Sequence, residues 1–381
     1  MRPNKGSRIK SLIIASAFAC TASALAQTND IKIKVTELTD DLHRPWAVEV
    51  LPNQDLVITE RNGDVRVWQN GQLSDPIKGL PEVHEVGQGG LLDVKAHPNF
   101  TQNSTLYFTY AKGTNDSNRT VLAKAKLQSP GETGRYQLVD VIEIFSALPK
   151  KERSHHYSGR IEFLPDGTLI FAVGDGGRYQ DKAQLLDNHL GKVIRLNDDG
   201  SLPSDNPYAN DDSVLSEIYS YGHRNPQGMF YDEKRQLLFS NEHGPKGGDE
   251  INIIEPTKNY GWPAITYGVN YSGTTISEFT HKEGMEQPLL QWTPSIAPSS
   301  IMVYYGNEFP QFQGHILTTA LKFEELRLVR LSSPESGSVE VLSQQTLLKE
   351  QEERLRDIAM NSKGQLYIIT DSGKLWHLTK H

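Results

Sequence analysis

The chain has 381 residues, one cysteine, and 39 Lys and Arg against 47 Asp and Glu, for a formal net charge of −8. With no Lys/Arg-rich stretch, that balance excludes a nucleic-acid binder with a basic face, and the lone cysteine excludes a disulfide scaffold. Small neutral substrates or local cationic pockets fit the charge better, and the length allows one large core or two domains.

The N-terminus comes first. Arg2, Lys5, Arg8 and Lys10 form a basic leader, Ser11 to Ala19 is almost uncharged, and Ala24-Leu25-Ala26 is an A-x-A cleavage pattern. Residues 1–26 are therefore expected to be a secretory signal peptide cut before Gln27, which places the mature protein in the periplasm or outside the cell. The apolar run is too short for a membrane span, which takes roughly 20 residues. A lipid anchor on Cys20 would want a small residue where Phe18 stands, and cleavage after Ala26 removes Cys20 altogether.

Beyond Gln27 the recurring unit is a β-rich run, a Gly-, Asn- or Asp-containing turn, and another β-rich run. Residues 46–51 turn at Pro52-Asn53-Gln54-Asp55 into 56–59, and 160–164 turn at Pro165-Asp166-Gly167 into 168–173. Residues 228–231 turn at Asp232-Glu233 into 237–240, and 356–360 turn at Asn361-Ser362-Lys363-Gly364 into 365–370. These are hairpins with period-2 patterning. Their return about every 50 to 70 residues predicts an all-β, six-bladed β-propeller with four-stranded antiparallel blades, with residues 27–381 as one domain. A large β-sandwich is the alternative on pattern alone. In a propeller, loops from every blade meet on one face, so residues distant in sequence can share a site.

Several segments could carry chemistry. Ser154-His155-His156-Tyr157-Ser158-Gly159-Arg160 puts a histidine just before a strand, where an imidazole can act as a base near neutral pH; a solvated or loop-capping pair fits equally. Tyr221 to Gly228 carries Arg224, a rigid fork of donors for a carboxylate or quinone oxygen, or simply a tie for backbone carbonyls. Asn241 to Asn252, with Asn259-Tyr260-Gly261-Trp262-Pro263, is glycine-rich and acidic, offering the hard oxygens calcium prefers or an ordinary surface turn. No EF-hand spacing and no HExxH zinc motif occurs. Lys322, Arg354 and Arg356 are scattered cations that would need a polyanion if they shared one pocket. Gly87-Gln88-Gly89-Gly90 places an amide in a glycine turn.

In this order, the segments GQGGLLDVKAHPNF (87–100), HHYSGRI (155–161), VGDGGR (173–178), GHRNPQGM (222–229), EHGPKGGDEIN (242–252), NYGWP (259–263) and RLRD (354–357) resemble the soluble PQQ-dependent glucose and aldose sugar dehydrogenases. The resemblance runs from about Leu42 to Leu378. It implies a six-bladed propeller with pyrroloquinoline quinone (PQQ) over the axis, an aldose substrate and an external electron acceptor, in a monomer or homodimer. It implies His156 as the base, Arg224 stabilising charge on the quinone oxygen, and Gln88, Asn225, His243, Lys322, Arg354 and Arg356 around PQQ. Asp175 and Gln180 match pocket positions near the base, Asp175 also as a catalytic residue that orients His156, and Gln88 also faces substrate. Gly244 and Pro245 match carbonyl ligands of a Ca2+ bound to PQQ, and Glu250 and Tyr260 a second, structural Ca2+ site. His155 and His243 stand where the glucose-specific branch has an acidic residue and a glutamine, which favours the broader aldose branch. The rivals are a calcium-dependent propeller lactonase and a propeller that binds ligands without catalysis.

Overall fold

The computed structural model describes residues 31–129 and 135–381; the expected signal peptide lies outside the described residues. Ile33–His381 form one compact unit. After β1 (Ile33–Thr39), blade 1 runs through β2 (Pro45–Val50), β3 (Leu56–Glu60), β4 (Val65–Gln69) and β5 (Gln72–Leu73). Blade 2 is β6 (Leu91–Ala96), β7 (Thr105–Thr114), β8 (Ser117–Gln128) and β9 (Gln137–Ser146). Blade 3 is β10 (Ser158–Phe163), β11 (Leu169–Val173), β12 (Lys192–Leu196) and β13 (Ile218–Tyr221). Blade 4 follows as β14 (Pro226–Asp232), β15 (Leu237–Glu242), β16 (Asp249–Ile254) and β17 (Leu290–Trp292). Blade 5 is β18 (Pro298–Val303), β19 (Ile316–Ala320), β20 (Glu325–Leu331) and β21 (Val341–Leu347). In blade 6, β22 (Leu355–Met360), β23 (Leu366–Thr370) and β24 (Leu375–Lys380) are completed by β1, which pairs antiparallel with β24 and closes the ring. The protein is a six-bladed β-propeller, and the predicted hairpins occupy β2–β3, β10–β11, β14–β15 and β22–β23. No helix among the described residues is long and apolar enough to cross a membrane.

Period-2 alternation explains how the blades stack. In β11, Leu169, Phe171 and Val173 join a cluster with Tyr107 and Leu122 of blade 2, while Ile170 and Ala172 join Met229 and Leu238 of blade 4. Likewise Val57 of β3 packs towards blade 2, and Leu56 and Ile58 towards Ile369 and Leu375 of blade 6. β3 and β11 are therefore apolar on both faces and begin as continuous hydrophobic runs, Leu56-Val57-Ile58 and Leu169 to Val173.

The innermost strands β2, β6, β10, β14, β18 and β22 each carry a register shift near their first residues. The bulge leaves one or two residues out of the ladder: Trp46, Leu92-Asp93, Gly159-Arg160, Gln227, Ser299 and Arg356. A bulge re-aims side chains, and these residues meet around the propeller axis. At their centre lies Arg160, which touches every other blade. Its Nε donates to Gln227 O at 2.9 Å and its Nη2 to Ser299 O at 3.1 Å. Its Nη1 lies 3.0 Å from Asp93 Oδ1 and 3.1 Å from Asp357 Oδ1, and the guanidinium sits 4.4 Å from the Trp46 ring centroid. This hub lies between a cavity of about 290 Å³ at the starts of the inner strands and one of about 250 Å³ at their ends.

Candidate active site

The segment before β10 is clamped from two sides. The 87–90 turn packs against it so closely that a Cβ on Gly87 (φ 60°) would come within 2.5 Å of Ser154 O. Gln88 N donates to that same carbonyl at 2.8 Å. The Gln88 side-chain oxygen then accepts from His156 N at 2.7 Å. Opposite, Gly174 leaves no room for a side chain, since a Cβ there would sit 2.3 Å from His156 O. His156 is held with φ 47°, a left-handed conformation costly for a non-glycine residue and a frequent mark of functional sites.

The His156 ring is thereby fixed. Its Nδ1 lies 2.6 Å from Asp175 Oδ1, which also accepts from Gly177 N at 2.6 Å, while Asp175 Oδ2 accepts from Trp262 Nε1 at 2.7 Å. With Nδ1 committed to the carboxylate, Nε2 is the nitrogen left to exchange protons. Burial pushes the imidazole below its ordinary value, opposed by Asp175 and assisted by Arg224. For Asp175, burial alone would raise the carboxyl; the His156 hydrogen bond and the nearby Arg224 outweigh it and hold the group ionised.

Arg224 stands beside this pair. Glu242 Oε2 accepts from Arg224 N at 2.7 Å and Asn225 N at 3.3 Å, Arg224 Nη1 donates to His243 O at 2.9 Å, and the guanidinium lies 5.2 Å from the Trp262 ring centroid. Arg224 Nε is buried without a partner among the described residues, as is His243 Nε2. Burial, with Arg224 and Arg356 nearby, pushes His243 down to about 3, so its ring is neutral and presents a lone pair.

Two cavities share this wall. One, of about 280 Å³, is bordered by His156, Asp175, Gln180, Arg224, Pro245 and Trp262. The other is the axial cavity of about 290 Å³, which gathers Gln88, Asn225, His243, Arg354 and Arg356 over a floor of Trp46, Leu92 and Gln227. Arg354 and Arg356 straddle Asp371, with Nε to carboxylate oxygen at 2.9 and 2.8 Å. Lys322 is not drawn into either cavity; its side chain is exposed, although the neighbouring Leu321 lines the axial cavity and accepts from Arg354 Nη1 at 3.0 Å.

Arg61, Asp371 and Trp262 were not nominated as site residues by sequence reasoning. Arg61 lines the axial cavity, and its Nη2 donates to the carbonyls of Gly87 at 2.5 Å and Gly89 at 2.6 Å, fixing the turn that presents Gln88. Burial, with Arg44 and Arg356 nearby, lowers its guanidinium to about 10. The wall thus holds three guanidiniums, Arg61, Arg354 and Arg356, against the single carboxylate of Asp371. Only the NYGWP motif hinted at Trp262.

Among the described residues no group of three or more His, Cys, Asp or Glu side chains could hold a metal ion, so a cation site would have to include other oxygens, from the backbone or from amide side chains. Such oxygens exist in the turn after β15. Asp249 accepts from Gly244 N and Ala297 N, both at 2.8 Å, and from Ser295 Oγ at 2.7 Å. Those bonds shape the 244–248 turn, and Pro245 borders the His156 cavity. One strand over, burial and the neighbouring Glu242 push Glu250 up to about 8, and Asn252 Oδ1 is buried without a partner. Asn252 Nδ2 donates to Glu242 Oε1 at 3.2 Å and to Glu250 Oε2 at 3.1 Å, so two carboxylates and an unpaired amide oxygen, oxygens of the kind calcium prefers, lie together here. The Tyr260 hydroxyl is committed, donating to Ile253 O at 2.6 Å and accepting from Glu255 N at 2.8 Å; only its carbonyl is available as a ligand.

The model of the family described as "Glucose / Sorbosone dehydrogenase" matches residues 42–377. The chain belongs to this family. Its similarity to the aldose sugar dehydrogenase YliI of Escherichia coli K12 is 38% identity over 93% of this chain and 95% of that protein. To the quinoprotein glucose dehydrogenase B of Acinetobacter calcoaceticus it is 28% identical, over 95% of this chain and 91% of the other. The apo structure of the soluble E. coli aldose sugar dehydrogenase superposes with a TM-score of 0.85, 37% identity, and coverage of 92% of this chain and 100% of that one. The PQQ-bound aldose sugar dehydrogenase of Streptomyces coelicolor gives 0.73 and 26%, over 92% and 98%. Members of the family with these names are oxidoreductases, and the expected enzyme class follows.

Proposed function

We propose that the protein oxidises aldoses at the anomeric carbon to lactones with PQQ and calcium, passing electrons to an external acceptor, in the periplasm or outside the cell. The observation that carries this reading is the His156–Asp175 pair opening next to a cavity walled by three guanidiniums. Three guanidiniums against one carboxylate leave the wall with an excess of positive charge, which a bound polyanion would neutralise, and the three carboxylates of PQQ provide one. Arg354, Arg356 and Arg61 would meet the carboxylates, with Asn225, Gln88 and His243 along the edge and Lys322 swinging in from the rim. Gly244 and Pro245 would offer their carbonyls to calcium. When bound, PQQ would supply a two-electron acceptor and calcium a Lewis acid.

The chain's own residues do the rest. His156 Nε2 takes the proton of the anomeric hydroxyl as the C1 hydrogen departs with its electron pair, leaving a lactone. Asp175 keeps Nδ1 protonated and stabilises the imidazolium that forms. Arg224 places positive charge where oxygen gains electron density. Gln180 and Gln88 border the substrate's path. A lactonase would want side-chain carboxylates converging on an axial metal, whereas this axial wall is cationic.

Dye reduction by purified protein with glucose and other aldoses tests the reading. Turnover is expected only when PQQ and calcium are both added. No turnover, with no change in melting temperature on adding PQQ, would overturn it. The second calcium site is tested separately: calcium should raise the melting temperature of the cofactor-free protein, and Glu250→Gln should remove most of that rise. An equal rise in the variant would exclude Glu250 as a ligand.

A further inference from the structure

The chain is acidic overall, yet the mouth of the His156 cavity is not. Besides Arg224 it is bordered by Arg153 and Arg178, and its one carboxylate, Asp175, is already bonded to His156 and Trp262. Both rim guanidiniums are exposed, and neither forms an ion pair or hydrogen bond through its side chain among the described residues. Their sequence neighbours Glu152 and Asp181 do not pair with them and do not line the cavity. His155, beside the base, lies close enough to feel both charges, which help to hold its ring neutral after burial and Lys151.

The backbone fixes the points from which these side chains project. Arg153 is fixed in the left-handed region at φ 64°, its N donating to Asn115 O at 2.8 Å and its O accepting from Lys151 Nζ at 3.0 Å. Arg178 follows Gly176 and Gly177, both with positive φ. The two segments are tied by Glu152 N donating to Tyr179 Oη at 3.0 Å. Tyr271, which is 77% exposed, and Ile276 also border the cavity and offer it an apolar surface.

We infer that the substrate-side cavity is built for an aldose carrying an anionic group remote from C1, a uronate or a sugar phosphate, which Arg153 and Arg178 bind at the rim while C1 reaches His156. This rests on the dehydrogenase reading above. With C1 placed at His156 Nε2 in the depth of the cavity, the far edge of a pyranose points to the mouth. A guanidinium matches either a carboxylate or a phosphate with paired donors, and Tyr271 offers a face for the ring. The same two-electron loss at C1 converts a uronate to the lactone of an aldaric acid, so no further reactant is required.

The test compares kcat/KM of the reconstituted enzyme for glucuronate, glucose 6-phosphate and glucose. At low salt at least one anionic sugar should exceed glucose by about tenfold, roughly the worth of one charge-assisted hydrogen bond, and the advantage should shrink as ionic strength rises. Arg153→Gln and Arg178→Gln should each reduce the anionic-to-neutral ratio severalfold. Which anion gains identifies carboxylate or phosphate. Glucose preferred, or a ratio indifferent to both variants, overturns the proposal. So does a change confined to the KM of an anionic acceptor such as ferricyanide, which would assign the arginines to the acceptor. Calorimetric binding of both anions to the cofactor-free protein and to the double variant separates the two readings. Binding lost in the double variant sustains the arginine site even if no sugar is oxidised; no binding together with no preference removes it.

Discussion

His156→Ala is expected to cost about 10²–10⁴-fold in kcat, the usual worth of a positioned general base, while PQQ affinity, followed by its absorbance, stays near that of the parent. Retained turnover would falsify the role given to His156. The pH profile carries a finer prediction. The base works as neutral imidazole, and burial depresses its pKa below the ordinary 6.5, so the acid limb of kcat/KM should fall below pH 6.5. Asp175 opposes that depression through its hydrogen bond and its charge. Asp175→Asn removes the charge, so the limb should shift further towards acid while the plateau drops, because the imidazolium loses its stabilising carboxylate. A limb that does not move would show that the titrating group is not His156, which Asp175 contacts at 2.6 Å.

How much of this was legible in the sequence depended on how local the cause was. The 52–55 turn is closed by its own residues, Asn53 Oδ1 accepting from Asp55 N at 3.2 Å and Leu51 N donating to Asp55 O at 2.8 Å, and such chemistry reads directly as a hairpin. The doubly buried runs of β3 and β11 read equally well. The bulges did not: nothing beside Trp46, Gln227 or Ser299 announces that the ladder skips them, because the reason is the axis they must fill. Trp262 stands 87 residues from the Asp175 it bonds, and Arg61 reaches Gly87 across 26; pairs of that kind become visible only once the blades are laid side by side. Lys322 shows the converse, a cation named by motif order whose side chain is exposed and lines neither the axial nor the His156 cavity.

Arg160→Met is the substitution expected to cost most in stability. Arg160 lies between Asp93 and Asp357, whose side chains are only 3% and 4% exposed, and its removal leaves both charges buried without their cation. Breaking such a pair costs about 3–5 kcal/mol. The lower part of that range is the better expectation here, since each carboxylate keeps one backbone donor: Ile161 N to Asp93 at 2.7 Å and Val48 N to Asp357 at 2.8 Å. Denaturant unfolding should show the loss as a lower midpoint at unchanged slope. A triple variant, Asp93→Leu, Arg160→Met and Asp357→Leu, should recover much of it, because a buried ion cluster is close to break-even against apolar residues of similar volume. Activity should not return with stability. Arg160 also grips Gln227 and packs on Trp46, both part of the axial cavity's floor, so the triple variant should be stable yet hold PQQ more weakly than the parent. Full affinity in that variant would show that the floor is set by the bulged ladders alone, with Arg160 serving only to neutralise the two carboxylates.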